Sequence, residues 1–177
     1  MRASRVRLVC TTDDPVDDLC PHRAIAADPS FEIRVLPTWR PDKGLAVESP
    51  EAFNAWVNRL AQAADVEIRD FSSYLEALHK RHDFFHQAGC RVSDLGLDTA
   101  YAEDYTESEI VALFSRIRAG KTLASDEVAR FKSAMLVEFG RMDHARGWVR
   151  QLHFGPLRNN NTRMLRQAGV DAGFDSI

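Results

Sequence analysis

Apolar and polar positions alternate along this chain in two rhythms, a short period of two and a longer helical period. Val6, Leu8, Val9 and Cys10 form an apolar, β-branched run within Arg5 to Thr12 that predicts a buried strand. It gives way to Thr11-Thr12-Asp13-Asp14-Pro15, where polar groups gather and Pro15 forbids further pairing. Val16 to Ala27 predicts a short helix, with Asp17 and Asp18 near its start and Asp28-Pro29 closing it. Phe31, Ile33 and Val35 then alternate with Glu32 and Arg34, the period of a second strand. Leu36 to Lys43 follows as another polar loop, stiffened by Pro37 and Pro41.

The longer rhythm begins at Ser49-Pro50-Glu51, an N-cap serine, a proline at the first helical position and an acid in the first turn. Phe53, Trp56, Val57, Leu60, Ala61 and Ala64 fall on one face of the helix that follows. A second helix is predicted over Glu67 to Gln87, with Phe71, Tyr74, Leu75, Leu78 and Phe85 as its stripe and Ala88-Gly89 as its end. Cys90 to Ser93 predicts a third strand, opening into Asp94-Leu95-Gly96. Thr106 with Glu109 has capping-box spacing, and Ile110, Leu113, Phe114 and Ile117 continue that helix to Gly120. Ser125 is expected to cap another, with Val128, Phe131, Met135, Phe139 and Met142 facing one way as far as Arg146-Gly147. Trp148, Val149, Leu152 and Phe154 then make a fourth, short buried strand, broken at Gly155 and Pro156.

Strands that alternate with helices predict parallel βαβ units, so the class is α/β. Each strand runs into a polar cluster, the layout of a (β/α)8 TIM barrel, whose sites lie at the strands' carboxyl ends. A closed barrel needs eight strands and usually about 250 residues. Four parallel strands with extra helices in 177 residues therefore predict a single partial barrel domain over 1–177. Composition changes this picture little: 45% hydrophobic and 28% charged residues are ordinary for a globular protein. A net charge of -3 with no basic run argues against a nucleic-acid partner. No apolar segment suits a signal peptide or a bilayer span, so no membrane partner is expected. The three cysteines, Cys10, Cys20 and Cys90, are widely spaced and odd in number. They suit neither a disulfide framework nor a CxxC zinc site, and the expected compartment is the cytoplasm.

Candidate chemistry clusters at the strand ends. His153 reads as a metal ligand, a general acid or base, or a satisfied core histidine; a lone histidine on an apolar strand is usually the last, and its place just before Gly155 raises the odds of function. Arg158 with Asn159, Asn160 and Asn161 reads as an anion and polyol site or as a solvated loop with Asx turns. Arg40, between Trp39 and Pro41, suits bidentate capture of a carboxylate, or equally a salt bridge to Asp42 or to a neighbouring loop. His79, His82 and His86 share a helix, and His82 and His86 have zinc-ligand spacing, but Asp83 is one carbon short of the glutamate that HExxH chemistry wants. An exposed face shared with Lys80 and Arg81 is the preferred reading there. Thr11 to Asp14 could hold magnesium, but capping by Asp13 or Asp14 ahead of Pro15 is favoured.

Together these segments resemble the uronate (glucuronate) isomerase family of the amidohydrolase superfamily. The resemblance is carried by Thr11-Thr12-Asp13-Asp14-Pro15, Trp39-Arg40-Pro41-Asp42-Lys43, Lys80-Arg81-His82-Asp83-Phe84-Phe85-His86 and Gly89-Cys90-Arg91-Val92-Ser93-Asp94. It continues through Leu152-His153-Phe154-Gly155-Pro156-Leu157-Arg158-Asn159-Asn160-Asn161 and Gly173-Phe174-Asp175-Ser176-Ile177. It implies a metal-dependent barrel of which this chain is an internal fragment, strands two to five, lacking the first and last strands. It also implies interconversion of D-glucuronate with D-fructuronate and of D-galacturonate with D-tagaturonate. By resemblance Arg40 clamps the sugar carboxylate, Arg158, Asn159 and Asn160 bind substrate, and His153 is the catalytic residue and a metal ligand. The divalent metal, zinc first, belongs to the complete enzyme; its His-x-His and Asp ligands lie on the missing strands, so the isolated chain is expected to be inactive. Where the family commonly has histidine after Ser-Asp, this sequence has Leu95, and Pro156 replaces a more usual alanine. Open sheet edges add the expectation of a homo-oligomer, and the rival function is a non-catalytic half-barrel that assembles with another chain.

Overall fold

The computed structural model describes residues 3–155, 158–170 and 172–174. The expected break at Pro156 and the last three residues of the closing Gly173–Ile177 match lie outside them. Among the described residues the strands are β1 (Leu8–Cys10), β2 (Arg34–Leu36), β3 (Val92–Leu97) and β4 (Val149–Phe154). The helices are α1 (Cys20–Ala26), α2 (Pro50–Ala64), α3 (Phe71–Gln87), α4 (Glu107–Arg118), α5 (Ser125–Arg146) and α6 (Thr162–Ala168). β1 pairs with β2 and β3 with β4, both parallel, the second in register from Val92 opposite Val149 to Leu97 opposite Phe154. Trp39 joins the two ladders: its N–H donates to the Val92 carbonyl at 3.1 Å, and its carbonyl accepts from Asp94 N–H at 2.9 Å. The strands thus lie side by side in chain order, the wall of a partial (β/α) barrel.

One face of that wall is covered by helices. Ser93, Leu95 and Leu97 of β3 point into this layer and are buried, as strand alternation requires. Phe53, Phe71, Tyr74, Phe114 and Phe131 meet between α2, α3, α4 and α5, mostly edge to face. Burying such a side chain contributes about 1.5–3 kcal/mol. Ser49 caps α2 as the sequence predicts, and Thr106 with Glu109 forms the capping box of α4. Among the described residues, no helix is long and apolar enough to cross a membrane.

Several boundaries differ from the sequence reading. Helix α1 starts at Cys20 rather than Val16, because Pro21 fits only the first helical turn. Asp14 Oδ1 accepts the Val16 N–H at 3.1 Å, so it caps a turn, not a helix. Ser125 is the first residue of α5 rather than its cap, and Glu127 reaches back to the Ala124 N–H. Strand β3 runs on through Asp94, Leu95 and Gly96, placing them on the sheet. Helix α6 was not expected; Asn161 caps it by accepting the Met164 N–H at 3.1 Å. The expected burial of β4 is not found: Val149 is 65% exposed and Phe154 48%. No further strand pairs with its outer side among the described residues.

The histidine-rich face of α3 is also not an exposed stripe. Arg81 and His82 are buried. Arg81 donates to the carbonyls of Pro15, Ala63 and Asp17. His82 stacks on Trp148 with ring centroids 3.8 Å apart and meets Asp143 Oδ1 at 3.2 Å. Asp143, buried on α5, also accepts the Ser93 hydroxyl at 2.6 Å. His86 accepts the Trp148 indole N–H at 2.9 Å. These histidines knit α3 and α5 to β3 and β4; His79 stays exposed.

Candidate active site

The helix-free face of the wall carries the polar groups. Residue 94 alternates with Ser93 and Leu95, so Asp94 points away from the helices, as does the position of Gly96. Arg40 follows Trp39 at the end of the β2 segment, and His153 lies opposite Gly96 in the β3–β4 register. Adjacent parallel strands therefore deliver three charged or ionisable side chains to one end of the wall.

Their contacts are close. Arg40 Nε donates to Asp42 Oδ2 at 2.8 Å, and Arg40 Nη1 lies 3.6 Å from Asp94 Oδ2. His153 Nδ1 is 2.7 Å from Asp94 Oδ1, a pairing distance although the ring N–H is not aligned with that oxygen as a hydrogen bond requires. His153 Nε2 is 2.6 Å from Gln151 Nε2. Asp94 is 6% exposed, so its carboxylate sits between guanidinium and imidazole with little water to screen it. Asp42 Oδ1 also accepts the Gly96 N–H at 3.1 Å, tying the β2 connection to β3. Gly96 leaves the space the cluster needs. A Cβ there would stand 2.8 Å from Arg40 Nη2 and 3.8 Å from Arg158 Nη2. Arg158 thus reaches the same place from beyond β4, and Asn159 next to it adopts a left-handed backbone, φ 54°.

Arg40, His153 and Arg158 are brought together; Asn159 and Asn160 follow in the adjoining loop, while Asn161 is used as a helix cap. Of the two readings of Arg40 the salt bridge to Asp42 is found, and Nη1 and Nη2 lie near Asp94 and the Gly96 position. Asp94 is not among the residues the sequence points to, because a third strand ending at Ser93 leaves it in a loop. Extending the period of two past Ser93 would have put Asp94 on the polar face. The Thr11–Asp14 acids are occupied structurally. Asp13 accepts from Thr11 Oγ1 at 2.6 Å and from the Thr38 N–H at 3.2 Å. Asp14 accepts the Trp56 indole N–H at 2.9 Å and pairs with Lys43 at 2.8 Å. Among the described residues no three His, Cys, Asp or Glu side chains cluster as a cation site. What the arrangement offers is an anion clamp beside an imidazole–carboxylate pair.

Comparison with known proteins finds similarity along the whole chain. The family model described as glucuronate isomerase matches residues 1–177. A uronate isomerase of Cellvibrio japonicus is 54% identical over 177 residues, all of this chain and 38% of the relative. One from Bacteroides thetaiotaomicron is 51% identical over the same span, again 38% of its length. The crystal structure of uronate isomerase from Thermotoga maritima superposes with a TM-score of 0.88 at 34% identity, covering 98% of this chain and 38% of that one. Glucuronate isomerase from Caulobacter crescentus gives 0.84 at 30% identity, covering 98% and 36%. The chain thus spans under two fifths of the curated relatives it matches.

Proposed function

This chain belongs to the glucuronate isomerase family, and from that premise we propose that residues 1–177 supply part of a hexuronate isomerase site. The substrates in this reading are D-glucuronate, giving D-fructuronate, and D-galacturonate, giving D-tagaturonate. One observation carries it: Arg40, Asp94 and His153 converge within 3.6 Å contacts at the ends of adjacent parallel strands. Aldose–ketose isomerisation breaks a C2–H bond, forms a C1–H bond and moves a hydroxyl proton from O2 to O1. His153 is the acid–base group for one of these transfers. Asp94 steadies its ring and offsets the charge it gains. Arg40 takes the sugar carboxylate, which fixes the reacting carbons. Arg158, Asn159 and Asn160 take hydroxyl groups.

A divalent metal, zinc first, is part of this reading, and when bound it would polarise the carbonyl. His153 is its candidate ligand here. One imidazole facing a carboxylate already held by Arg40 falls short of the three or four donors a zinc site takes. The proposed compartment is the cytoplasm.

Titration of D-glucuronate into the 177-residue polypeptide and its Arg40→Met variant tests the clamp. Saturable binding weakened about tenfold or more in the variant is expected; equal affinity refutes the role of Arg40. With zinc added, the polypeptide alone is expected to show little or no isomerisation, and turnover at ordinary rates, about 1–10³ s⁻¹, refutes that expectation. A second reading, a half-barrel that assembles with another chain or copy, is favoured by the exposed apolar side chains Val149, Leu152 and Phe154 on β4. Sedimentation at micromolar concentration decides it, a stable monomer counting against self-assembly.

A further inference from the structure

Two connections wall the end of the sheet where Arg40 and Asp94 meet: residues 37–49 after β2 and residues 98–106 after β3. The first carries Arg40 and Asp42; the second has no helix or strand of its own. Lys132 of α5 lies beneath both and is 6% exposed. Its ammonium pairs with Glu48 at the end of the first connection. It also donates to Tyr101 Oη of the second at 3.2 Å and lies 4.8 Å from that ring's centroid. Tyr101 in turn donates to Asp98 Oδ1 at 2.7 Å, and the neighbouring Ser133 Oγ accepts the Glu103 N–H at 2.9 Å. The first connection has a second anchor, Tyr74 Oη donating to the Gly44 carbonyl at 2.6 Å within the core. Between these anchors and the strand lies Asp42, which holds Arg40 Nε and the Gly96 N–H.

A buried ammonium is a costly way to fill space, since its desolvation has to be offset by partners. Burial alone pushes the Lys132 pKa down; its bonds to Glu48 and Tyr101 more than offset this and leave it above the usual lysine value. Those partners come from the two different connections, while Lys132 itself belongs to α5. We propose that Lys132 is a positioning residue, a buried clasp that holds the β2 and β3 connections together and through Asp42 sets the direction of the Arg40 guanidinium. The clasp rests on contacts alone; only its bearing on substrate rests on the uronate reading.

Stability and position can be told apart. Replacing a buried ion pair by an apolar side chain of similar length is often neutral for stability, and the Glu48 side chain is 55% exposed and can return to water. Hydrogen exchange of the full chain with Lys132→Met is expected to quicken by about tenfold or more at residues 42–48 and at 98–105, with α2, α3 and β3 unchanged. Lys132→Arg restores protection in both. Glu48→Gln loosens the first connection alone and Tyr101→Phe the second alone, which keeps the test open if Lys132→Met does not fold. Unchanged exchange in either connection, a uniform rise over the whole chain, or failure of arginine to restore protection overturns the clasp. D-Glucuronate titration of the same variants separates the two ideas. Affinity lost in Lys132→Met and regained in Lys132→Arg supports both. Loosened loops with unchanged affinity support the clasp and count against the uronate reading of Arg40.

Discussion

Gly96→Ala tests the site with a single methyl group. The new Cβ would lie 2.8 Å from Arg40 Nη2, so the guanidinium must shift, and 3.2 Å from Asp42 Oδ2, which must give by a few tenths of an ångström. Gly96 sits on extended strand, so no special backbone conformation is lost. Alanine restricts the unfolded chain, which favours folding by about 0.4–1 kcal/mol. Moving Arg40 off Asp42 gives up a partly exposed ion pair, about 0.2–1 kcal/mol, while the buried Asp94 keeps the His153 imidazole 2.7 Å away. These terms nearly cancel, so the thermal midpoint should move by less than about 5 °C. Binding should not escape. A displaced guanidinium forfeits a charge-assisted contact of about 1.5–3 kcal/mol, about 10- to 150-fold in D-glucuronate affinity. Gly140→Ala is the control: its Cβ would stand 2.7 Å from Arg150 Nη1, behind the sheet, and should leave D-glucuronate affinity unchanged. Calorimetric titration beside thermal denaturation reads both quantities. Full affinity in Gly96→Ala refutes the clamp, and a collapse of its midpoint shows that the glycine serves packing instead.

Asp143→Ala strands Ser93 Oγ and His82 Nε2 inside the protein, and urea denaturation should show a loss of about 3–5 kcal/mol; a loss below about 1 kcal/mol refutes the network. Burial first, then the positive charges of Arg91 and Arg146, hold His86 below the usual histidine pKa. The unfolded chain therefore takes up the proton first, so this stabilisation is complete above the ordinary value, near 6.5, and is lost as pH falls below it. Thermal midpoints should drop from pH 7.5 to 5, and less steeply in His86→Asn; equal slopes refute the assignment. Burial pushes the Cys90 thiol up to about 11, whereas Cys10 and Cys20 are exposed. A disulfide reagent at pH 8 should titrate two thiols in the native chain and the third only in denaturant; three fast thiols refute the burial.

Periodicity carried the fold well because the apolar faces of α2, α3, α4 and α5 are long and capped by their own residues. It failed where a partner distant in sequence decides. The α3 segment Arg81-His82 reads as a polar stripe, yet its acceptors are carbonyls near Pro15 and a carboxylate at Asp143, which no helical wheel displays. Strand β4 has the composition of a buried strand, yet Val149, Leu152 and Phe154 lie exposed. In the site, Arg40 was legible from its two flanking prolines and Asp42 from being two residues away. Asp94 was not: aspartate and glycine are poor strand formers, so Asp94-Leu95-Gly96 looked like a strand's end. Facing an open polar site rather than a core, they are tolerated on the strand.

The same geometry changes the meaning of Leu95. Beside the family pattern, leucine in place of histidine looks like the loss of a ligand or proton carrier. Residue 95, however, alternates with Asp94 and Gly96, and its side chain is fully buried on the helical side with Ser93 and Leu97. A histidine introduced there would enter the layer between sheet and helices and not reach His153 or Arg40. It would give up the burial of a leucine, about 1.5–3 kcal/mol, and bury an imidazole without an assigned partner, about 1–3 kcal/mol more. Leu95→His should therefore lose about 3–5 kcal/mol in urea denaturation and gain neither zinc nor uronate affinity. Zinc or uronate binding tightened by that substitution, at unchanged stability, would mean that residue 95 faces the site and that the alternation assigned to β3 is out by one.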